Sequence, residues 1–363
     1  PKMLLLGLQH MFAMFGATIL VPIITGLDIS TTLLMAGLGT LLFHCITKFK
    51  VPAFLGSSFA FLGGYAAIKA LAPDDPNSML PYACLGVACA GLVYFILAAI
   101  IKAVGIEKVM RFFPPVVTGP IIIAIGLGLA PSAVSNCTTN WLLAFVALAG
   151  IVIFNIWGKG MAKIIPIILG LLISYGVGLV LYFISQANPD LIQNVPWLFS
   201  GGADANGVYQ PIFDFTSVNT ICDNIAKGNI FGSEGLIGIP IHWEQTVFGG
   251  IDYSNTALIA SSIIAIVPIA FATMMEHIGD ICAISSTTGN NYIQDPGLHR
   301  TLTGDGLATT VASLFGGPAN TTYGENTGVL ALTKVYDPRV IRIAAFFAVG
   351  VSFFPIVSAI IGS

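Results

Sequence analysis

Two carboxylates stand four residues apart in an otherwise apolar run, Glu276 and Asp280 of "FATMMEHIGDICA", and a third, Glu325, stands among hydroxylated and glycine residues in "NTTYGENTG". At i and i+4 the first two share a helix face. An ionised side chain at the centre of a bilayer costs about 3 kcal/mol even on the lenient insertion scale, so such groups are retained chiefly as ligands for an ion, a proton or a polar substrate. The chain has five Glu, and the other three, Glu107, Glu234 and Glu244, fall in loops. A metal centre at Glu276, His277 and Asp280 is not expected, because His277 points about 100° away from Glu276 on a helix and no second His follows at i+4. His10, beside Gln9 in the first apolar run, is either a proton relay or a helix-packing histidine. No "GxxxxGK[ST]" loop occurs, so nucleotide-driven chemistry has no support.

The elements that position these groups follow from composition. Of 363 residues, 56% are hydrophobic and 9% charged, with a mean hydropathy of +0.89. A soluble domain carries about 25% charged residues, so this is an integral membrane protein whose partner is the lipid bilayer. The balance of 14 basic and 17 acidic residues argues against a nucleic-acid partner. Apolar windows predict about eleven spans. The third, 58–72, and the tenth, 321–335, are too polar and glycine-rich for lipid-facing helices, and read as broken. With the N-terminus cytoplasmic, twelve of the 14 Lys and Arg fall inside and only Lys69 and Lys227 outside, as the positive-inside rule requires. Residues 188–255 form one long polar region, read as an extracytoplasmic insertion. Cys137 and Cys222 lie on that side, as a disulfide or as two free thiols.

Spans one and eight carry "LQHMF" and "MEHIG", and spans three and ten carry "SSFA" and "TTYG". His10 precedes Phe59 by 49 positions and His277 precedes Tyr323 by 46. Span one runs outward and span eight inward, so the repeat is inverted, an architecture of secondary transporters in which paired broken segments mark the binding site. A seven-span unit predicts fourteen spans, and this chain ends near the eleventh, so spans 12–14 are expected beyond it. Unwound backbone at membrane depth lines a cavity. A small planar ligand would suit it, with ring N–H groups donating to Glu276 and Glu325, ring carbonyls accepting from backbone N–H near Phe59 and Gly324, and Phe59 or Tyr323 on the ring face.

"LQHMFAMFGATILVP", "PAFLGSSFAF", "DPGLHR" and "NTTYGENTGVLALTK" together resemble the nucleobase-ascorbate transporter family, in its bacterial uracil permease branch. Glu325, Asn326, Gly328, Thr333 and Lys334 match the family signature, with Ser57 and Ser58 in the partner motif. The resemblance implies an all-α polytopic fold of two inverted seven-span repeats. Its core domain would take residues 1–113 and 256–363, and its gate domain 114–187, with 188–255 as the insertion. It implies a homodimer in the cytoplasmic (inner) membrane that is not an enzyme and needs no cofactor beyond a proton. The activity implied is proton-coupled uptake of uracil by alternating access. Substrate-binding positions would be Glu276, Glu325, Phe59, Tyr323 and Gly324, and proton-coupling candidates Glu276, Asp280, Glu325 and His10. Asp280 stands where uracil permeases of this type often carry His and purine-type relatives Asp, which keeps a xanthine or urate symporter as the alternative. An anion channel or exchanger on the same fold would lack carboxylates in its site.

Overall fold

A computed structural model describes residues 2–105, 107–108, 120, 123–124, 127, 130–131, 133–164, 166–204 and 207–362. The expected fifth span, 115–131, lies outside the described residues except at isolated positions. Helix α1 (Lys2–Thr25) is followed by α2 (Ile29–Ile46). Asp28 caps α2 by accepting from Thr31 N–H at 2.6 Å, and Lys69 donates to the Thr25 carbonyl at 2.7 Å, a cation at a helix C-terminus. The third segment is broken as expected. It consists of strand β1 (Leu55–Ser57), a 3-10 turn (Phe59–Phe61) and a short helix α3 (Leu62–Lys69). Helix α4 (Leu80–Val104) ends at Gly105, whose φ is 89°.

Helices α5 (Trp141–Trp157) and α6 (Pro166–Ala187) pack on each other, with Gly150 against Gly170. Tryptophans at both ends of α5 are exposed and stand about 24 Å apart along the axis, as expected of residues at the two membrane interfaces. The polar region 188–255 holds a hairpin, β2 (Ser200–Ala203) with β3 (Tyr209–Pro211), and helix α7 (Thr216–Ala226). Cys137 and Cys222 are free thiols.

The second half repeats the first in outline. Helix α8 (Thr256–Ile266) passes through a 3-10 turn containing Pro268 into α9 (Ala270–Thr288), and α10 (Leu298–Leu314) follows. The tenth segment is again strand then half-helix, β4 (Asn320–Thr322) and α11 (Gly324–Thr333). The eleventh expected span, 339–361, is not one rod. Helix α12 (Pro338–Ser352) and helix α13 (Pro355–Gly362) meet at 84°, because Pro355 cannot continue the ladder of α12.

The buried centre lies where α4 crosses α10, α2 packs between α10 and α12, and α12 packs on α1. Gly91 and Gly306 bring the α4 and α10 backbones together. A Cβ at Gly91 would stand 2.7 Å from the Gly306 carbonyl, and one at Gly306 would stand 2.6 Å from the Gly91 carbonyl. Small residues at such crossings gain the van der Waals contact that must replace hydrophobic driving force in lipid. By contrast, Phe145, Leu148, Ile153 and Ile156 of α5, and Leu172, Val180 and Phe183 of α6, are exposed. Among the described residues, five helical stretches are long and apolar enough to cross a membrane, six if the bent pair counts as one.

Candidate functional site

The two broken segments meet. Strand β1 pairs antiparallel with β4, Leu55 opposite Thr322 and Ser57 opposite Asn320. Glycines, a proline and β-branched threonines around them ("FLGSS", "GGPANTTYG") disfavour continuous helix. In lipid every unwound backbone group needs a partner, and the surroundings supply them. Ser58 N–H donates to the Ala319 carbonyl at 2.8 Å and Tyr323 N–H to the Phe54 carbonyl at 3.1 Å, while Leu55 N–H donates to the Thr40 hydroxyl at 2.9 Å. Asn320 reaches the Met35 carbonyl at 2.9 Å, and Thr309 donates to the Asn320 carbonyl at 2.6 Å. Because the strands are antiparallel, the half-helices leave the pair at opposite ends, with both N-termini directed back at it. Unsatisfied first-turn N–H groups and the helix dipole make such a place attractive to ligand carbonyls and anions.

Helices α1 and α9 flank the strand pair. On the α1 side Ser57 donates to the Thr18 carbonyl at 3.0 Å, Tyr323 donates to the Ser57 carbonyl at 2.9 Å, and Thr18 donates to the Tyr323 hydroxyl at 3.3 Å. Tyr323 is 5% exposed, and a Cβ at Gly56 would run into its ring. It therefore ties α1 to both broken segments, and its ring is largely covered by protein. Phe59 opens the 3-10 turn after β1 and is half-buried. Gly324 is the first residue of α11.

On the α9 side, Glu276 is half-buried. Asp280 lies mid-way along α9, which continues two turns further, to Thr288. It accepts from the Thr322 hydroxyl at 2.8 Å. Behind it lies a contact that sequence reasoning misses. His277 Nδ1 stands 3.4 Å from Thr322 Oγ1 and 3.4 Å from Asp305 Oδ2 of α10, and both His277 and Asp305 are fully buried. The single Thr322 hydroxyl hydrogen goes to Asp280, and Nδ1 lies between that hydroxyl oxygen and the Asp305 carboxyl. Asp280, Thr322, His277 and Asp305 thus form one polar chain through β4 and two helices, α9 and α10. The signal for Asp305 is present in "TLTGDGLATT", a carboxylate among glycines and threonines like that at Glu325, but it has no neighbour at helical spacing to draw attention.

The remaining candidates divide. The Glu325 side chain lies outside the described residues; its backbone is in the first turn of α11. Asn326 and Ser58 are each 1% exposed, and neither the Asn326 amide nor the Ser58 hydroxyl has a hydrogen-bond partner among the described residues. The same holds for both ring nitrogens of His10, 1% exposed on α1. Thr333 bonds back to the Val329 carbonyl at 2.8 Å, and Gly328 lies inside α11. Among the described residues no cluster of three or more His, Cys, Asp and Glu has the arrangement of a metal site.

With this geometry in place, comparison with known proteins decides the family. A family model described as "Permease family" matches residues 1–363. The chain belongs to the permease family. These are the nucleobase-ascorbate transporters that the sequence motifs resemble. A uracil permease of Bacillus caldolyticus is 37% identical over 367 residues, covering 99% of this chain and 73% of that protein. A uracil permease of Bacillus subtilis is 37% identical over 370 residues, 98% of this chain and 73% of that protein. A putative pyrimidine permease, RutG, of Escherichia coli is 34% identical over 363 residues, 98% of this chain and 70% of that protein. These relatives are transporters rather than enzymes. Among solved structures, the transmembrane domain of a cyanobacterial bicarbonate transporter, BicA, matches with a TM-score of 0.63 at 13% identity, over 99% of this chain and 86% of that one. That likeness concerns the fold alone.

Proposed function

We propose that this permease takes up uracil together with a proton across the cytoplasmic membrane by alternating access, with its N-terminus inside and as a homodimer. The observation that carries the reading is 37% identity over nearly the whole chain to two relatives named uracil permeases. The crossing of the two broken segments, with carboxylates on the adjoining α9, supplies chemistry that fits such a ligand. Uracil's ring N–H groups would donate to Glu276 and Glu325, and its carbonyls would accept from the first-turn N–H groups at Phe59 and Gly324. Because the Tyr323 ring is covered and its hydroxyl is engaged, Phe59 is the better of the two aromatics to lie on the base. No metal or organic cofactor enters the reading.

Uracil is neutral at pH 7, so the membrane potential alone does not drive it. One proton bound with it makes the cargo positive, worth about 2.3 kcal/mol per 100 mV, with about 1.4 kcal/mol more per pH unit of gradient. Glu276, Glu325, His10 and Asp280 are the proton-coupling candidates. Asp280 is linked to the buried His277–Asp305 pair through Thr322. A purine symporter is the second reading, favoured by Asp280 at this position.

Thermal stabilisation of the protein by uracil, xanthine, urate and sulfate at pH 5.5 and 7.5 separates these readings. Stabilisation by uracil, stronger at the lower pH and abolished by Glu325→Gln, is the expected result. Stabilisation by xanthine or urate instead would favour the second reading. A response to sulfate alone would transfer the site to an anion carrier.

A further inference from the structure

Residues 188–255 are fastened to two different bodies. The first part is held by the α5–α6 pair. Asn140, which caps α5, donates to the carbonyls of Ser200 at 3.0 Å and Leu198 at 3.3 Å. Phe213 and Phe215 stack on each other and against Tyr175 and Tyr182 of α6, with the Phe213 and Tyr175 ring centres 4.7 Å apart. The last part is held by the body that carries the site. Thr31 of α2 donates to the Pro240 carbonyl at 2.6 Å, Gly238 N–H to the Phe353 carbonyl at 2.9 Å, and Asp252 N–H to the Tyr82 hydroxyl at 3.0 Å. Val247 and Ile251 enter the main apolar cluster alongside Leu80 and Tyr82 of α4. Asp28, the cap of α2, stands 4.0 Å from His242.

The change of allegiance is sharp. Phe215 belongs to the α6 aromatic cluster, and α7, which begins at the next residue, packs on α13. The two bodies themselves meet across an apolar cleft of about 420 Å³, lined by Phe15, Ile19 and Ile23 of α1 and by Leu171, Leu172 and Tyr175 of α6. Unfilled apolar space forfeits the contacts that lock packed helices together, so this is the seam along which helices can shear.

We propose that residues 188–255 are a strap joining the α5–α6 body to the site-bearing body, and that it flexes at Phe215–Thr216 as the two move. The proposal rests on the alternating-access reading. The strap stays attached at both ends throughout the cycle, and the junction at Phe215–Thr216, between the α6 aromatic cluster and α7, sets how far the bodies travel.

Reversible cross-linking with a bis-methanethiosulfonate reagent tests this, in a Cys137→Ser/Cys222→Ser background, with uracil uptake measured before linking, after linking and after reduction. Links within one body, Asp28→Cys with His242→Cys or Thr139→Cys with Ala203→Cys, are expected to leave uptake within about twofold. A link across the flexing point, Asp28→Cys with Asp214→Cys, whose side chains line one cavity, is expected to lower uptake about tenfold or more, with recovery on reduction. A link across the cleft, Ile19→Cys with Leu172→Cys, is expected to do the same. Loss of uptake from either within-body link, or none from the Asp28–Asp214 link, overturns the strap. If the Ile19–Leu172 link forms and uptake continues, it is the alternating-access reading that fails. Stabilisation by uracil before linking shows that each variant is folded.

Discussion

Thr322 has one hydroxyl hydrogen and gives it to Asp280 at 2.8 Å, while His277 Nδ1 approaches the same oxygen at 3.4 Å. Replacing it by a residue of the same shape without the hydroxyl removes a partner from two groups at once. An abandoned buried polar group costs about 1–3 kcal/mol, so Thr322→Val is expected to weaken uracil binding by about tenfold and to change how binding depends on pH between 5.5 and 7.5. Titrating uracil against both proteins across that range checks it. A weaker affinity with an unaltered pH profile would mean that Thr322 only supports the strand, and that the Asp280–His277–Asp305 chain has no part in proton coupling.

At the scale of elements, the crossing of α4 and α10 decides whether the strand pair is held in place, since α10 feeds directly into β4. Gly91 sits where a Cβ would come within 2.4 Å of Thr310 Oγ1 and 2.7 Å of the Gly306 carbonyl. Backbone cannot give way cheaply, and overpacking of this kind costs about 1–3 kcal/mol. Gly176 on α6 has nothing within 4 Å of its Cβ position among the described residues, and there alanine gains up to about 1 kcal/mol of helix propensity. Gly91→Ala should therefore lower the melting temperature and the uracil-binding fraction, and Gly176→Ala should leave both unchanged or raise the first. Equal melting temperatures for the two variants would show that the crossing is not closely packed. The broken elements themselves are readable from local chemistry, because glycine, proline and hydroxylated residues interrupt two otherwise apolar runs at corresponding places. Their pairing is not, because Leu55 and Thr322 are 267 positions apart and nothing in either run names its partner.

For the whole molecule, the proposed coupling makes the transported species positive, so uptake should respond to voltage with no pH gradient present. Imposing a potassium diffusion potential of about 100 mV, inside negative, on proteoliposomes at equal pH is expected to raise accumulation up to about fiftyfold, the ratio equivalent to 2.3 kcal/mol. Uracil accumulation that ignores the potential would exclude net charge movement, and with it a one-proton symport. The exposed apolar faces of α5 and α6, against a buried polar crossing elsewhere, are the arrangement such a device needs, with lipid or a partner outside and charge handled inside.

Composition and periodicity by themselves determined that this chain crosses a membrane repeatedly, that segments three and ten are interrupted, and that a few carboxylates stand where an ionised group is costly. These are local properties, since the cost of a buried charge or an unpaired backbone group is set by the residues around it. Only the tertiary structure decided that the two interruptions form one strand pair. It also set Asp280 against Thr322, covered the Tyr323 ring, and placed Asp305 behind His277. It tied the polar segment after α6 to two bodies at once. Each of those depends on which distant helix face arrives beside a given side chain, and that is fixed by packing, not by any pattern along the chain.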